Sequence, residues 1–178
     1  MSGPRERYRA QMRDEVKQHA WAQIAEAGVS ALSLNAIAKQ MGVSGPALYR
    51  YYAGRDELIT ELVRDAHRSL ADTVRSAYDA GADAIAVAGA IRAWALAGPQ
   101  RYLLIYGTPV SSEQAPDDTA ATIALLAEGV GADRAVSFWT RLHGVLSLEL
   151  TGHFAGTDVD PAGLVESEIS ELVSSDRS

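Results

Sequence analysis

The chain has 178 residues, 47% of them apolar and 22% charged, which excludes collagen-like, fibrous and wholly disordered classes. It has no cysteine, so neither a disulfide framework nor thiolate chemistry is available. The net charge of −7 is unevenly divided: residues 1–55 carry +4 and residues 56–178 carry −11. A basic segment on an acidic protein can still attract a polyanion, because binding follows the local field rather than the total charge. No apolar run approaches the ~20 residues needed to cross a bilayer. The opening Met-Ser-Gly-Pro-Arg-Glu-Arg is not followed by the apolar core of a secretory signal, and a cytoplasmic location is expected.

The periodicity is helical almost throughout. Met12, Val16, Ala20 and Ile24 recur every four residues, and Gly28 follows as a C-terminal cap. Arg5, Arg7, Arg9 and Arg13 precede or enter this stripe and read as a solvated basic arm with a general attraction for phosphates. Ser33 caps a short helix with Leu34, Ile37, Ala38 and Met41 on one side, and Gly42 breaks it. Ser44 then caps a third helix with Pro46 in its first turn, carrying Leu48, Tyr49 and Tyr52. After Gly54, Asp56 and Glu57 open a fourth helix with the stripe Leu58, Leu62, Val63, Ala66, Leu70 and Val74.

A fifth helix carries Ile85, Ala88, Ile91 and Ala95 and stops at Gly98-Pro99. A short apolar piece covers 102–106, and the aperiodic, Pro- and Ser-containing stretch 107–117 reads as a loop. A short helix over 119–128, a long one over 133–154 and a last one from Asp160-Pro161 complete the chain. The last turns Leu164, Val165, Ile169, Leu172 and Val173 inward. With no hairpin signal between alternating runs, the expected fold is all-α with about nine helices. Two domains are expected, at 1–55 and 56–178.

Residues 33–52 have the anatomy of a helix-turn-helix: a short amphipathic helix, a tight turn at Gly42, Val43 packing between the helices, and a second helix with a serine cap. Such a second helix places its N-terminal residues in a major groove. Ser33 and Ser44 can cap a helix and touch a phosphate oxygen. Tyr49, Arg50, Tyr51 and Arg55 supply donors and planar surfaces. A plain helical hairpin with tyrosines in its core fits the same pattern.

The spaced elements Ala20, Gly28, Leu34-Asn35-Ala36-Ile37-Ala38, Gly42-Val43-Ser44, Leu48-Tyr49-Arg50-Tyr51-Tyr52 and Gly54-Arg55-Asp56-Glu57-Leu58 closely resemble the N-terminal domain of the TetR family of transcriptional regulators. The resemblance covers about a quarter of the chain. It implies a phosphate contact at Tyr49 and another at Arg55, where the family usually has lysine. The chain departs from the family pattern at Gly45, where lysine is common, at Pro46, where glycine is common, and at Tyr52, where phenylalanine is usual. Gly45 has no side-chain donor for a base. Ala47 offers a methyl group that can pack on a thymine methyl.

In the second half, Phe138-Trp139-Thr140-Arg141-Leu142-His143-Gly144 looks like the Trp–His–Gly signature of one regulatory-domain subclass of that family. This implies a helical half that senses a ligand and dimerises. Trp94, Tyr102, Tyr106, Trp139 and His143 are candidates to line an apolar or aromatic effector site, and ordinary core packing accounts equally for each of them. His19, His67, His143 and His153 include no i,i+4 pair, so no metal site is expected, and none of the short motifs for phosphate loops, nucleophile elbows or dinucleotide binding is present. No cofactor is expected.

The function implied is a homodimeric regulator of transcription, joined through its last two helices. It would act as a repressor released from a palindromic double-stranded DNA operator by a small-molecule effector. The competing classes are a helical protein-interaction module that never binds DNA and a helical enzyme without a recognisable motif. Dependence of DNA retention on salt separates them.

Overall fold

The computed structural model describes residues 3–107 and 115–174. All regular structure among them is helical, in nine α-helices and one short 3₁₀ turn. The helices are α1 (Pro4–Ala27), α2 (Leu34–Gln40), α3 (Gly45–Leu48), α4 (Arg55–Asp79) and α5 (Ala84–Ala97), then α6 (Pro99–Tyr106), α7 (Ala115–Val130), α8 (Ala132–Leu150) and α9 (Pro161–Ser174). The chain divides into two compact units, Met1–Asp65 and Ala66–Ser178.

In the first unit the stripe Met12, Val16, Ala20 and Ile24 is buried, together with Leu34, Ile37, Ala38, Leu48, Tyr52, Leu58 and Leu62. The Ser33 hydroxyl accepts the Ala36 amide at 3.3 Å and so caps α2. Gly42 ends that helix with φ +69°, a left-handed conformation that costs glycine nothing, and the Val43 amide reaches back to the Ala38 carbonyl at 3.0 Å.

Three boundaries in this unit differ from the sequence reading. The basic stretch before Met12 is not an irregular arm: α1 begins at Pro4. Proline suits the first turn, and the Glu6 carboxylate accepts the Gly3 amide at 2.9 Å, so the helix starts two turns earlier than its buried stripe. The third helix is only four residues long. Its hydrogen bonds pass from Tyr49 N to Gly45 O (3.2 Å) into tighter i−3 bonds from Arg50 to Ala47 (3.4 Å) and Tyr51 to Leu48 (2.9 Å). Ser44 occupies the N-cap position, but its side chain makes no capping bond.

In the second unit, α8 packs on α7 and α9, and α5 packs on α9. Ile91, Ala95, Tyr102, Leu126, Ala135, Phe138, Leu142, Leu146 and Ile169 are buried there. The 102–106 piece belongs to a full helix that starts at Pro99. Of the expected loop 107–117, residues 108–114 lie outside the described residues, and 115–117 are already helical in α7. α8 stops at Leu150 instead of running to Phe154, because Gly152, just past the Thr151 cap, takes φ of +79°. Asp160 caps α9 as expected, accepting the amides of Ala162 (3.0 Å) and Gly163 (3.1 Å). Val165 and Ile169 are buried, whereas Val173 faces outward.

Gly129 is held by its neighbour rather than by its backbone. A methyl group there would stand closer than 3 Å to the Tyr78 ring, whose hydroxyl donates to the Leu126 carbonyl at 3.1 Å. Gly129→Ala adds helix propensity of about 1 kcal/mol but overpacks this ring at a cost of about 1–3 kcal/mol. The variant should therefore melt at a lower temperature than the parent, as a thermal denaturation series will show.

Candidate nucleic-acid interface and aromatic cluster

The turn and α3 bring most of the residues expected at DNA into one continuous segment, 44–51. Ser44, Pro46, Tyr49 and Arg50 are exposed, and Gly45, Ala47 and Tyr51 are half-buried. A side chain at Gly45 would approach the Asn35 carboxamide oxygen at 3.2 Å, so this position favours a small residue for packing reasons within the domain. Ser33 lies apart from that segment in sequence, at the start of α2, with its hydroxyl engaged as a cap.

Arg55 opens α4, and its guanidinium turns back onto the α1–α2 connection. Nη2 donates to the Val29 carbonyl at 2.6 Å and Nε to the Leu32 carbonyl at 3.2 Å, while Nη1 lies 3.7 Å from Asp56. Two of its three nitrogens therefore tie backbone to backbone.

Arg13 has a role that the sequence reading missed. Instead of belonging to a solvated arm, it turns into the domain. Nη1 donates to the Tyr51 carbonyl at 2.8 Å, Nη2 pairs with the Glu61 carboxylate, and the guanidinium sits 4.4 Å from the centroid of the Tyr52 ring. The Tyr52 hydroxyl in turn donates to the Arg13 carbonyl at 3.5 Å. Burial works against the Arg13 charge, but the Glu61 bond and nearby groups outweigh it and hold its pKa above the ordinary value. Burial and then Glu61 push the Tyr52 phenol up to about 12.

One turn along, Lys17 bonds Asp65 at 2.8 Å, Asp14 at 3.1 Å and Glu61 at 3.5 Å. Burial opposes its charge too, and the Asp65 and Asp14 bonds override it, raising its pKa. The only sequence signal for this seam is that Arg13 and Lys17 on one helix match Glu61 and Asp65 on another at the same four-residue spacing.

The five residues proposed for an effector are brought together by α5, α6 and α8. Ring centroids lie 5.0 Å apart for Tyr102 and Tyr106, 4.9 Å for Tyr106 and Trp139, and 5.7 Å for Trp139 and His143, with Trp94 6.5 Å from Tyr102. His67 on α4 joins them, 5.8 Å from Tyr106, which no spacing in the sequence signalled. Tyr102, Trp139 and Trp94 are buried, while Tyr106 and His143 are half-buried.

Three polar bonds within the cluster join neutral groups. Trp94 Nε1 donates to Ser69 Oγ at 3.0 Å. Tyr102 Oη stands 2.5 Å from His143 Nδ1, and His143 Nε2 is 3.4 Å from Ser147 Oγ. Burial drives the Tyr102 phenol upward, so it keeps its proton. Each ring nitrogen of His143 thus has a hydroxyl neighbour that can donate or accept. Burial also lowers the His143 pKa, which favours the neutral form.

Two predictions follow from these geometries. Arg13→Met should lower the stability of the first unit by about 1–3 kcal/mol, the value of a hydrogen bond to a charged group. It should weaken DNA binding with no change in salt slope, since Arg13 faces protein rather than phosphate; urea titration and binding at several salt concentrations test both. For His143, the folded pKa lies below the unfolded value of about 6.5, so the unfolded chain binds the proton more readily. Stability from this group is complete above that value and falls as pH drops through it toward the folded pKa. His143→Gln should remove that part of the pH dependence in urea midpoints measured from pH 8 to about pH 5.

Comparison with known proteins agrees with this architecture. Residues 18–62 match the family model described as bacterial regulatory proteins, tetR family, and residues 84–172 match that of the tetracyclin repressor-like C-terminal domain. The chain is 41% identical over 128 residues to HTH-type transcriptional regulator Rv1816 of Mycobacterium tuberculosis (strain ATCC 25618 / H37Rv), a stretch that covers 68% of this chain and 55% of that protein. The chain thus spans about half the length of that relative. It is 32% identical over 154 residues to a second regulator of the same strain, Rv0681, covering 75% of this chain and 67% of that one. A crystal structure of SCO4313, a protein described as regulatory, superimposes with a TM-score of 0.87 at 54% identity, covering 96% of this chain and 98% of that one. Both halves of the chain carry the same assignment: the protein belongs to the TetR family of bacterial transcriptional regulators.

Proposed function

We propose that the protein is a homodimeric, sequence-specific DNA-binding repressor that leaves a palindromic operator when a small apolar or aromatic molecule binds. The observation that carries the DNA reading is the exposed segment 44–51, braced from behind by Arg13 and held on a buried core. Ser33, Ser44, Tyr49, Arg50 and Tyr51 position the duplex through phosphates, with Arg55 contributing through Nη1. Gly45, Pro46 and Ala47 face the bases. Phosphate contacts set affinity and base contacts set preference.

Dimerisation is assigned to α8 and α9. Val136, Thr140, Gly144 and Leu148 follow one another at four-residue intervals on α8 and are all exposed, and Val173 on α9 is 37% exposed. A face of this kind covers its apolar groups against a second copy, and two helices from each copy would make a four-helix interface. Two recognition segments then read half-sites about one helical turn, ~34–36 Å, apart.

The effector reading rests on the aromatic cluster of Trp94, Tyr102, Tyr106, Trp139 and His143, whose neutral polar groups suit an uncharged ligand. No cofactor takes part. No helix among the described residues is long and apolar enough to cross a membrane, which agrees with a cytoplasmic regulator.

Sedimentation should give a species of twice the chain mass, and retention on duplex DNA should fall steeply with salt. A monomer, or retention indifferent to salt, favours the interaction-module reading instead. Arg50→Ala should flatten the salt slope by about one unit, whereas changes at Ala47 should alter sequence preference. Trp139→Ala separates the two accounts of the cluster. In an effector site it abolishes the response to ligand and spares folding; in a packed core it costs about 3–5 kcal/mol and unfolds a marginal domain.

A further inference from the structure

The basic start of α1 is not absorbed by the interface described above. Its residues 4–11 are helical and exposed, and they extend about 12 Å beyond the first buried residue, Met12. The seam between α1 and α4 shows where this extension runs. Arg13 pairs with Glu61 and Lys17 with Asp65, so the two helices are parallel here, in a register offset by 48 residues. The charge of Glu57, one turn before Glu61 on α4, is felt at Arg13 as well.

Arg5, Arg9 and Arg13 are four residues apart and share one helix face, drifting only about 40° per step. Arg13, the innermost, is held by Tyr51 and Glu61. The outer two are exposed and make no ion pair among the described residues. The nearby carboxylates are directed at backbone amides: Glu6 accepts Gly3 N at 2.9 Å and Glu57 accepts Ala53 N at 2.5 Å. Tyr8, on the same side as Met12, is 61% exposed.

We infer that the first two turns of α1 form a second DNA contact, in which Arg5 and Arg9 bind backbone phosphates of the duplex beside the bases faced by residues 44–51. Charge complementarity selects the occupant, since two uncompensated guanidinium groups on a rigid helix suit a polyanion better than an apolar or cationic partner. The inference rests on the DNA-binding reading above. It differs from that reading in placing contacts outside the helix-turn-helix, and it predicts binding that is blind to base sequence.

The test uses the full-length protein and a mixed-sequence duplex of about 60 base pairs, so no operator is needed. The parent, Arg5→Gln/Arg9→Gln and Arg5→Lys/Arg9→Lys are titrated from 50 to 200 mM salt. Glutamine and lysine both keep the helix, which circular dichroism verifies. The glutamine variant should lose about two units of salt slope per protomer, at ~0.9 per phosphate, so that over that salt range its affinity falls less by about twelvefold for each protomer bound, about 150-fold for a dimer. The lysine variant should keep the parental slope. Identical slopes for the parent and the glutamine variant overturn the inference while leaving the DNA-binding reading standing. A changed oligomeric state with an unchanged slope also overturns it, by giving the arm to a second copy. A parent that shows no salt-dependent binding removes both readings together.

Discussion

The guanidinium of Arg13 meets a backbone carbonyl, an aromatic face and a carboxylate at once, and the recognition segment depends on all three contacts. A four-residue helix has too few internal hydrogen bonds to offset its own nucleation. What orders residues 44–51 is therefore external to them. Leu48 and Tyr52 bury their side chains beneath, and Arg13 takes the Tyr51 carbonyl as the helical ladder tightens and ends. Because the same guanidinium pairs with Glu61, the end of the recognition segment and the second turn of α4 share one anchor. Arg55 repeats the device at the opposite margin, joining the start of α4 to the carbonyls of Val29 and Leu32.

Much of this was legible from residue order, and the rest had identifiable reasons for staying hidden. Amphipathic stripes, Ser33 and Asp160 as caps, and Gly42 as a left-handed turn are local features, and each is formed by the residues expected to form it. The misread features depend on partners distant in the chain. Arg13 resembles its exposed neighbours until Glu61, 48 residues later, is folded against it. The brevity of α3 follows from Gly45 and Pro46 in its first turn and a tertiary bond at its end, whereas apolar spacing alone extends it to Tyr52. The end of α8 at Leu150 follows from Gly152, whose left-handed conformation composition does not reveal.

The aromatic cluster presents the reverse case, in which the residues were found but spacing did not disclose their roles. Stacked and tilted rings at 4.9–5.8 Å have the same geometry whether they form a core or the walls of a site. The distinguishing feature is polar. His143 stands between Tyr102 and Ser147, with a hydrogen-bond partner at each ring nitrogen. A purely apolar core needs no such relay, and a buried imidazole lowers the stability of the fold unless its nitrogens are satisfied. His67, contributed by α4, extends the titratable edge of the cluster to the helix whose first turns hold the ion pairs of the other unit.

The seam formed by Arg13, Lys17, Glu61 and Asp65 bears on modularity. DNA-binding heads are attractive pieces to exchange between related regulators, and the helix-turn-helix alone, residues 33–52, is the obvious piece to move. Here that graft would part the Tyr51 carbonyl and the Tyr52 ring from the Arg13 guanidinium that braces them. The portable unit ends at Asp65, the last residue that α1 grips, and includes the first eleven residues of α4. A chimera joined there keeps Arg13 and Lys17 with Glu61 and Asp65, while one joined at Arg55 separates them.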